Sequence, residues 1–407
     1  MKLLLANSFF APAVGGIENY LLNVGRELVA GGHSVSVLAS RHEPHLPSSE
    51  LLGGVRVHRY DFTAWDVPWG LLNRRRRVSA CRTAMRRLLG EERFDVVWAR
   101  DLASLAGVMG CRSRPPVVYI QAVAFPLFMR AMYAPSPGGR LRSRAYSRLD
   151  AWNSARFGER LERTLLPRCS KRIVLSEAKR REISAHYGLP QSAFTVVPAG
   201  VSVDRYEPCS PEAKRALRRK LGLPANAFVF LFVGRFSPEK NPSGLLQAFS
   251  SLQSAEPVAL AMVGPAPPSI AREVNATRLP GPVLFPGVAP EPVEWYQAAD
   301  AFVLPSLAEG FGQVLLEAMS CALPIAAFRP AAGSNSLATA EIVADGETGI
   351  LAEYGSAAAL AQAMRALAAN RSDAARMGER GRARCIEHYS WARVTDQLTA
   401  ASAALRG

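Results

Sequence analysis

The chain has 407 residues, 49 of them Lys or Arg and 34 Asp or Glu, for a formal net charge of +15; 49% are hydrophobic and 20% charged. At roughly 100–200 residues per domain, the length suggests two domains, and the ordinary globular composition excludes a mainly disordered protein. Six scattered cysteines with no CxxC pair (Cys81, Cys111, Cys169, Cys209, Cys321, Cys385) and histidines without a ligand cluster argue against a zinc site or a disulfide scaffold, and fit reduced thiols.

The apolar opening of the chain stops too soon for a signal peptide and reads as a buried first strand. Short apolar runs then alternate with helical patterns. Strands are predicted at Lys2–Ala6, Ser34–Ala39, Val55–Tyr60, Val96–Arg100, Val117–Gln121, Arg172–Ser176 and Thr195–Pro198, with helices such as Glu18–Ala30 and Val78–Leu89 between them. Several strands are near-continuous Val/Ile/Leu runs, as parallel strands covered on both faces require. After a turn-rich stretch from Pro198 to Pro208 the pattern restarts. Strands follow at Phe228–Val233, Val258–Val263, Val283–Phe285, Ala301–Leu304, Pro324–Ala327 and Gly349–Leu351. Helices follow at Asn241–Leu252, Val293–Ala298, Gly312–Met319, Ala357–Ala368 and Asp373–Glu387.

The expectation is an α/β chain of two Rossmann-like, doubly wound domains, with ligands bound at strand C-terminal ends in the cleft between them. The domains are placed at 1–200 and 201–385, with a C-terminal segment at 386–407. No apolar run approaches the ~18–20 residues that cross a bilayer. The chain is therefore expected to be cytoplasmic, or peripheral on the inner face of the cytoplasmic membrane, as a monomer or weak dimer.

The charge is uneven: residues 1–200 hold 30 Lys+Arg against 15 Asp+Glu, which accounts for the whole excess. It concentrates at Arg74–Arg77 with Arg82, Arg86 and Arg87, and again between Arg140 and Arg168. Val78, Cys81, Met85, Leu88 and Leu89 recur at helical spacing, which puts the neighbouring arginines on the opposite, solvated face. Such a face is either merely solvated or meets an anionic lipid or acceptor, where each basic residue adds about 1 kcal/mol. Nucleic acid is disfavoured, because no recognition motif accompanies the charge.

The strongest local signal runs from Ala301 to Met319. A buried strand leads into a loop carrying Glu309, Gly310, Phe311 and Gly312, and a helix opens at Gln313. Gly310 and Gly312 let backbone amides approach a ligand, and the helix start favours negative charge. Glu317 lies eight residues beyond Glu309, so the two carboxylates can accept hydroxyl hydrogen bonds from separated parts of one long ligand. Taken alone, the pair fits equally well a purely structural arrangement, with Glu309 as a helix-dipole partner and Glu317 as a surface charge. A second strand-to-helix loop brings Arg235 and Lys240, two cations suited to a diphosphate. A third carries Gly15 and Gly16, followed by Glu18 in the first helix.

These residues together resemble the retaining glycosyltransferases of family 4, which have the GT-B architecture. The resemblance covers almost the whole chain. It rests on Glu309 and Glu317 with seven residues between them, on Gly15-Gly16-Ile17-Glu18 and Ser176-Glu177, and on Arg235 with Lys240. Gly287, Asp345-Gly-Glu-Thr-Gly349 and Trp391 also match. The resemblance implies a nucleotide-diphosphate sugar bound mainly by the second domain. Arg235 and Lys240 then neutralise the departing diphosphate, with Gly15, Gly16, Gly310, Phe311, Gly312 and Gln313 nearby. Glu317 accepts from the ribose hydroxyls, and Glu309 faces the transferred sugar. The sugar moves with retention of configuration by same-face attack, with catalysis resting on positioning and leaving-group charge. Neither a metal nor a cofactor is implied, and Trp391 implies a terminal helix crossing back to the first domain.

Three places depart from the family pattern. Gln121 stands where a His is common near the donor sugar, and Gln cannot gain a proton. Ala199-Gly200-Val201-Ser202 replaces Asn-Gly-Val-Asp, and the segment Arg329 to Thr339 is longer than usual beside the sugar pocket. Gln121, Glu18 and Phe125 are the candidate sugar or acceptor contacts. The expected acceptor is a lipid-linked or cell-envelope saccharide such as lipopolysaccharide, met by the basic first half and the apolar stretch Phe125–Met129. The alternatives are a soluble natural-product acceptor, a nucleotide-sugar epimerase of the same fold, and a non-catalytic nucleotide-sugar-binding protein.

Overall fold

The computed structural model describes residues 1–13, 15–62, 70–127, 141–289, 292–331 and 337–405, with backbone alone at 70, 71 and 141–151. It divides into two compact units, one formed by Met1–Ala199 with Trp391–Gly407 and the other by Gly200–Ser390. The helix Arg371–His388 stays with the second unit, so the chain changes unit at Ser390–Trp391, a few residues beyond 385.

The first unit is built on eight strands: β1 (Lys2–Ala6), β2 (Ser34–Arg41), β3 (Ser49–Leu52), β4 (Val55–Asp61), β5 (Val96–Ala99), β6 (Val117–Gln121), β7 (Lys171–Val174) and β8 (Thr195–Val196). Their order is β3-β4-β2-β1-β5-β6-β7-β8. Every pairing is parallel except β3 with β4, where Ser49 faces His58 and Leu52 faces Val55. β3 escapes sequence reading because Ser-Glu-Leu-Leu is half polar and lies on an edge, where no second face needs burial. Its signal is the turn that follows. Gly53 and Gly54 both take positive φ, 56° and 81°, which a tight two-residue hairpin demands and which other residues rarely adopt.

The second unit carries β9 (Phe228–Val233), β10 (Val258–Val263), β11 (Val283–Leu284), β12 (Ala301–Leu304), β13 (Ile325–Phe328) and β14 (Gly349–Ala352), in the all-parallel order β11-β10-β9-β12-β13-β14. Phe228, Phe230 and Phe232 alternate along β9 into one core with Leu245, Phe249, Leu260 and Met262. Each such side chain contributes about 1.5–3 kcal/mol by leaving water.

In both sheets the strand order reverses next to the first strand of the unit: between β1 and β5 in the first, and between β9 and β12 in the second. Crossovers leave to opposite sides there, so the loops beyond the strand C-terminal ends part and open a crevice. The final helix, Trp391–Ala403, belongs to the first unit. Trp391 packs edge-on against Tyr20 with ring centroids 5.3 Å apart, and the Trp98 indole donates to Ser402 Oγ at 2.9 Å.

The helix Gly70–Glu91 buries Cys81, Met85 and Leu88 as its spacing predicts. Its arginines do not all lie on a solvated face. Arg86 and Arg87 are exposed, whereas Arg74 lies over the Phe125 ring at 5.0 Å and Arg77 over Phe62 at 4.7 Å. All six cysteines are unpaired, and five are buried. Among the described residues no cluster of three metal-ligating side chains occurs, and no helix is long and apolar enough to cross a membrane. Phe128, Met129, Arg140 and part of the segment 329–339 lie outside the described residues, as do the side chains of Arg142, Arg144 and Arg148.

Candidate functional site

In the second unit the two loops that flank the reversal of strand order are those after β9 and β12. The first turns through a short 3-10 segment, Pro238–Lys240, and Asn241 then caps the helix Pro242–Ser250 by accepting from the Gly244 N–H. The second is tied to it through the backbone, where Leu307 N–H donates to Glu239 O at 2.8 Å, and Tyr354 braces Leu307 O from the other side. This pairing of loops brings Arg235, Lys240 and Glu309 to one place. The Lys240 ammonium donates to Glu309 Oε1, and both side chains are largely buried. Arg235 is exposed, and its guanidinium reaches Glu239 Oε1 at 3.3 Å. Burial, and then the charge of Arg235, pull the Lys240 ammonium down to about 8, against the opposing pull of Glu239. The site therefore presents one solvated cation and one partly desolvated cation held by a carboxylate, where sequence reading placed two free cations and a separate sugar-facing acid.

Gly312 has φ 97°, so the turn into the helix Gln313–Ser320 needs glycine at that position. Gly310 and Gln313 are half-buried around it, whereas the Phe311 ring is core, 6.3 Å from Tyr389. Glu317 lies on the first turns of this helix with a different partner from Glu309. It accepts from the Tyr296 hydroxyl at 2.7 Å. Burial pushes the Glu317 carboxyl up to about 7, while the Tyr296 hydroxyl and the Arg205 charge oppose it. Tyr296, on the short helix Val293–Ala298, is the residue of this site that sequence reading missed. It looks like one more apolar-face aromatic, and only packing shows where its hydroxyl points.

Several motif positions hold the fold. Ser176 caps the helix Glu177–Tyr187. Asp345 joins Arg329 and the Leu351 N–H.

The first unit has its own site. Gly15 is in extended backbone that any residue adopts, and caps the helix Gly16–Ala30. Glu18 sits in the first turn of that helix, its carboxyl raised by burial and held back by its own backbone hydrogen bond and by Arg100. Gln121 ends β6 and is buried, and its Nε2 donates to Glu162 Oε1 at 2.8 Å. Phe125 donates its backbone N–H to Glu162 Oε2 at 3.0 Å. Its ring lies against Gly158, where any side chain would collide with it. Glu162 also accepts from the hydroxyls of Tyr119 and Tyr187. Burial pushes its carboxyl up to about 7 in spite of these four donors. Sequence reading missed Glu162. The available signal was one acidic residue sharing a helical stripe with Gly158, Leu161 and Leu165 on an otherwise arginine-rich helix. Gln121, Phe125 and Glu162 line a cavity of about 260 Å³ beyond the C-terminal ends of β1, β5 and β6.

Known proteins agree with this organisation. The family described as Glycosyltransferase Family 4 matches residues 14–205, and that described as Glycosyl transferases group 1 matches residues 213–384. A D-inositol 3-phosphate glycosyltransferase of Geodermatophilus obscurus is 35% identical over 245 residues, which cover 56% of this chain and 52% of that protein. The chain spans about half the length of the curated relatives it matches. Among solved structures, the sucrose-phosphate synthase of Thermosynechococcus elongatus superposes with a TM-score of 0.78 at 21% identity, over 99% of this chain and 98% of that one. HepE of Anabaena, solved with UDP and glucose, superposes with a TM-score of 0.71 at 20% identity, over 99% and 100%. The fold is GT-B, as the motifs imply. With both halves matched in order, the chain belongs to glycosyltransferase family 4.

Proposed function

We propose that the protein transfers a hexosyl group, with retention of configuration, from a nucleotide-diphosphate sugar (UDP- or GDP-linked) to a hydroxyl of an acceptor. The observation that carries this reading is the meeting of Arg235, Lys240 and Glu309 at the strand-order reversal of the second unit, with Glu317 on the adjoining helix. In this reading Arg235 and Lys240 hold the diphosphate, Glu309 positions Lys240 and the sugar, and Glu317 accepts from the ribose. The bond from the anomeric carbon to the diphosphate oxygen breaks, a bond to the acceptor oxygen forms on the same face, and the acceptor proton passes to the departing diphosphate. The cations lower the barrier by stabilising the charge that develops on that leaving group. The relatives named as inositol-phosphate glycosyltransferases support a hydroxyl acceptor.

Two acceptor classes fit. A lipid-linked or cell-envelope saccharide at an anionic membrane is favoured by a groove of about 500 Å³ lined by Arg75, Arg156, Arg160 and Arg163, beside an exposed Trp152 that lies under Arg156 at 4.5 Å. A small soluble alcohol is favoured by the cavity of the first unit.

The test is thermal stabilisation by UDP, GDP, dTDP and ADP. Binding at about 100 times Kd adds about 2.7 kcal/mol. A shift with one nucleotide, lost in Glu317→Ala and Arg235→Ala, is expected; no shift with any of the four overturns the donor assignment. Glycosyl transfer that collapses in Glu309→Gln separates an enzyme from a non-catalytic binder, and transfer to an added acceptor separates it from an epimerase.

A further inference from the structure

The helix Leu141–Leu165 of the first unit has two unlike faces. Ala155, Gly158, Glu162 and Leu165 are buried, and Glu162 belongs to the cavity described above. Trp152, Arg156, Arg160 and Arg163 are exposed, and their spacing of four, four and three residues puts them together on the opposite face. Arg75, also exposed, joins them from the neighbouring helix Gly70–Glu91. Between the two helices lies a groove of about 500 Å³ lined by Arg75, Arg156, Arg160 and Arg163. It is on the other side of the helix from Glu162.

Guanidinium groups gathered round one groove repel one another unless anions stand between them. One of the four is answered within the chain. Arg163 donates through Nε and Nη2 to Glu159 Oε1, at 3.2 and 3.0 Å. Among the described residues Glu159 is the one carboxylate of the lining, and Arg163 occupies it. Arg75, Arg156 and Arg160 have no carboxylate partner there. Two of these three are braced from behind. The Arg75 guanidinium lies over the Phe157 ring at 5.8 Å, and that of Arg156 over Trp152 at 4.5 Å. Trp152 is 54% exposed, so its ring serves Arg156 while leaving about half of itself in water. A guanidinium stacked on a ring is restrained, yet its N–H groups lie in its own plane and stay available to an anion.

The kind of anion follows from what these donors require. A carboxylate has one charge and two oxygens in a plane, and a single arginine satisfies it, as Arg163 does Glu159. Three further guanidinium groups need more charge, and oxygens directed to several sides at once. A phosphate group carries about −1.5 to −2 charge and three strong acceptor oxygens, and forked guanidinium donors match its geometry. A groove of about 500 Å³ also has room for the body to which the phosphate is attached. We infer that this groove is a phosphate-binding site, separate from the donor loops of the second unit and from the cavity of the first. The phosphate is that of a soluble ester or of a lipid headgroup in an anionic membrane, since both present the same group. The site does not depend on the glycosyl-transfer reading.

The experiment is calorimetric titration of the whole chain with pyrophosphate at low ionic strength, with acetate as the comparison anion. Arg156→Gln combined with Arg160→Gln should weaken one site of pyrophosphate binding about tenfold or more, the loss of charge-assisted hydrogen bonds. Arg86→Gln combined with Arg87→Gln is the control. It removes the same charge from exposed positions about 16 Å along the neighbouring helix from Arg75, and should leave that site unchanged. Circular dichroism reports that each variant is folded. Arg235→Ala keeps the two readings apart, because the donor reading predicts a pyrophosphate site lost in that variant and retained in the groove variant. Absence of that second site overturns the donor reading and leaves the groove assignment standing.

Vesicles of phosphatidylglycerol with phosphatidylcholine, and of phosphatidylcholine alone, identify the source of the phosphate. Cosedimentation with the first only, lost in the groove variant and competed by pyrophosphate, assigns a lipid headgroup. Pyrophosphate binding at the groove without cosedimentation assigns a soluble ester. Equal weakening in the groove and control variants overturns the site in favour of diffuse attraction. Acetate bound as tightly as pyrophosphate overturns the phosphate assignment, and pyrophosphate binding untouched by the groove variant overturns the groove itself.

Discussion

Lys240 and Glu309 form an ion pair that joins the two loops at the strand-order reversal of the second unit, although sixty-nine residues separate them in the chain. Neither loop does this alone. The pairing follows from β9 and β12 being neighbours in the sheet, which brings the loop after each strand against the other.

Burial of Lys240, with the nearby charge of Arg235, makes nucleotide binding pH-dependent on the alkaline side. Lys240 is charged below about 8 and loses its proton above that value. The part of the UDP affinity that depends on Lys240 should therefore be constant below about pH 8 and fall above it, by up to about tenfold per pH unit. In Lys240→Met this alkaline limb should vanish while overall affinity drops about 10–100-fold, the loss of one charge-assisted hydrogen bond. Calorimetry between pH 7 and 9.5 decides the matter.

Tyr296 sets the acidic limb. Its hydroxyl favours the charged form of Glu317, whose carboxyl titrates near 7. Tyr296→Phe removes that donor, so Glu317 should take up its proton at higher pH and the affinity for UDP at pH 7 should fall several-fold. Comparing variant with parent cancels the titration of the nucleotide phosphate itself. An unchanged pH profile would mean that Glu317 does not contact the ligand.

Glu162 should lower stability as pH rises. Its folded carboxyl titrates near 7 and an unfolded one near 4.5, so the folded chain binds the proton more tightly. Its contribution is present below about pH 4.5, declines through 7 and is constant above, a change of about 3 kcal/mol. Urea unfolding from pH 4.5 to 8 should show this slope in the parent and a shallower one in Glu162→Gln.

Asp300 has the opposite sign. Burial alone would raise its carboxyl, but Lys214 at 2.7 Å and Arg218 outweigh it and hold the group below its ordinary value. Asp300→Asn should destabilise the second unit by about 3–5 kcal/mol at pH 7, because it takes the carboxylate away from the buried Arg218 and the half-buried Lys214. The difference should shrink as the pH falls below about 4, where Asp300 of the unfolded parent begins to take up a proton that the folded parent binds only at lower pH.

The predicted strands of the second half agree with β9–β14 to within one residue at either end, because a strand covered on both faces must be apolar throughout and turn residues bound it. β3 and several helices, among them Glu177–Tyr187 and Pro211–Leu221, were not read. Pro211–Leu221 buries only Arg218 fully, so no apolar stripe announces it. Motif spacing singles out Arg235, Lys240, Glu309 and Glu317 as candidates, but not that Lys240 binds Glu309 or that Glu317 binds Tyr296. Those contacts cross from one loop or helix to another, and spacing along the chain carries no information about them.

Local patterning of this chain therefore determined its α/β class, its two units and the loops that carry its charged residues. Each of these depends on near neighbours in the chain: alternation of apolar runs, glycine at sharp turns, cations after strand ends. The order of strands, the ion pair between loops and the cavity around Glu162 were set by packing. Whether a buried carboxylate is tolerable, and which way Gln121 points beside it, depends on donors brought together from β6, the Phe125 backbone and the helix Glu177–Tyr187. Only the folded chain places those donors within hydrogen-bond distance of one another.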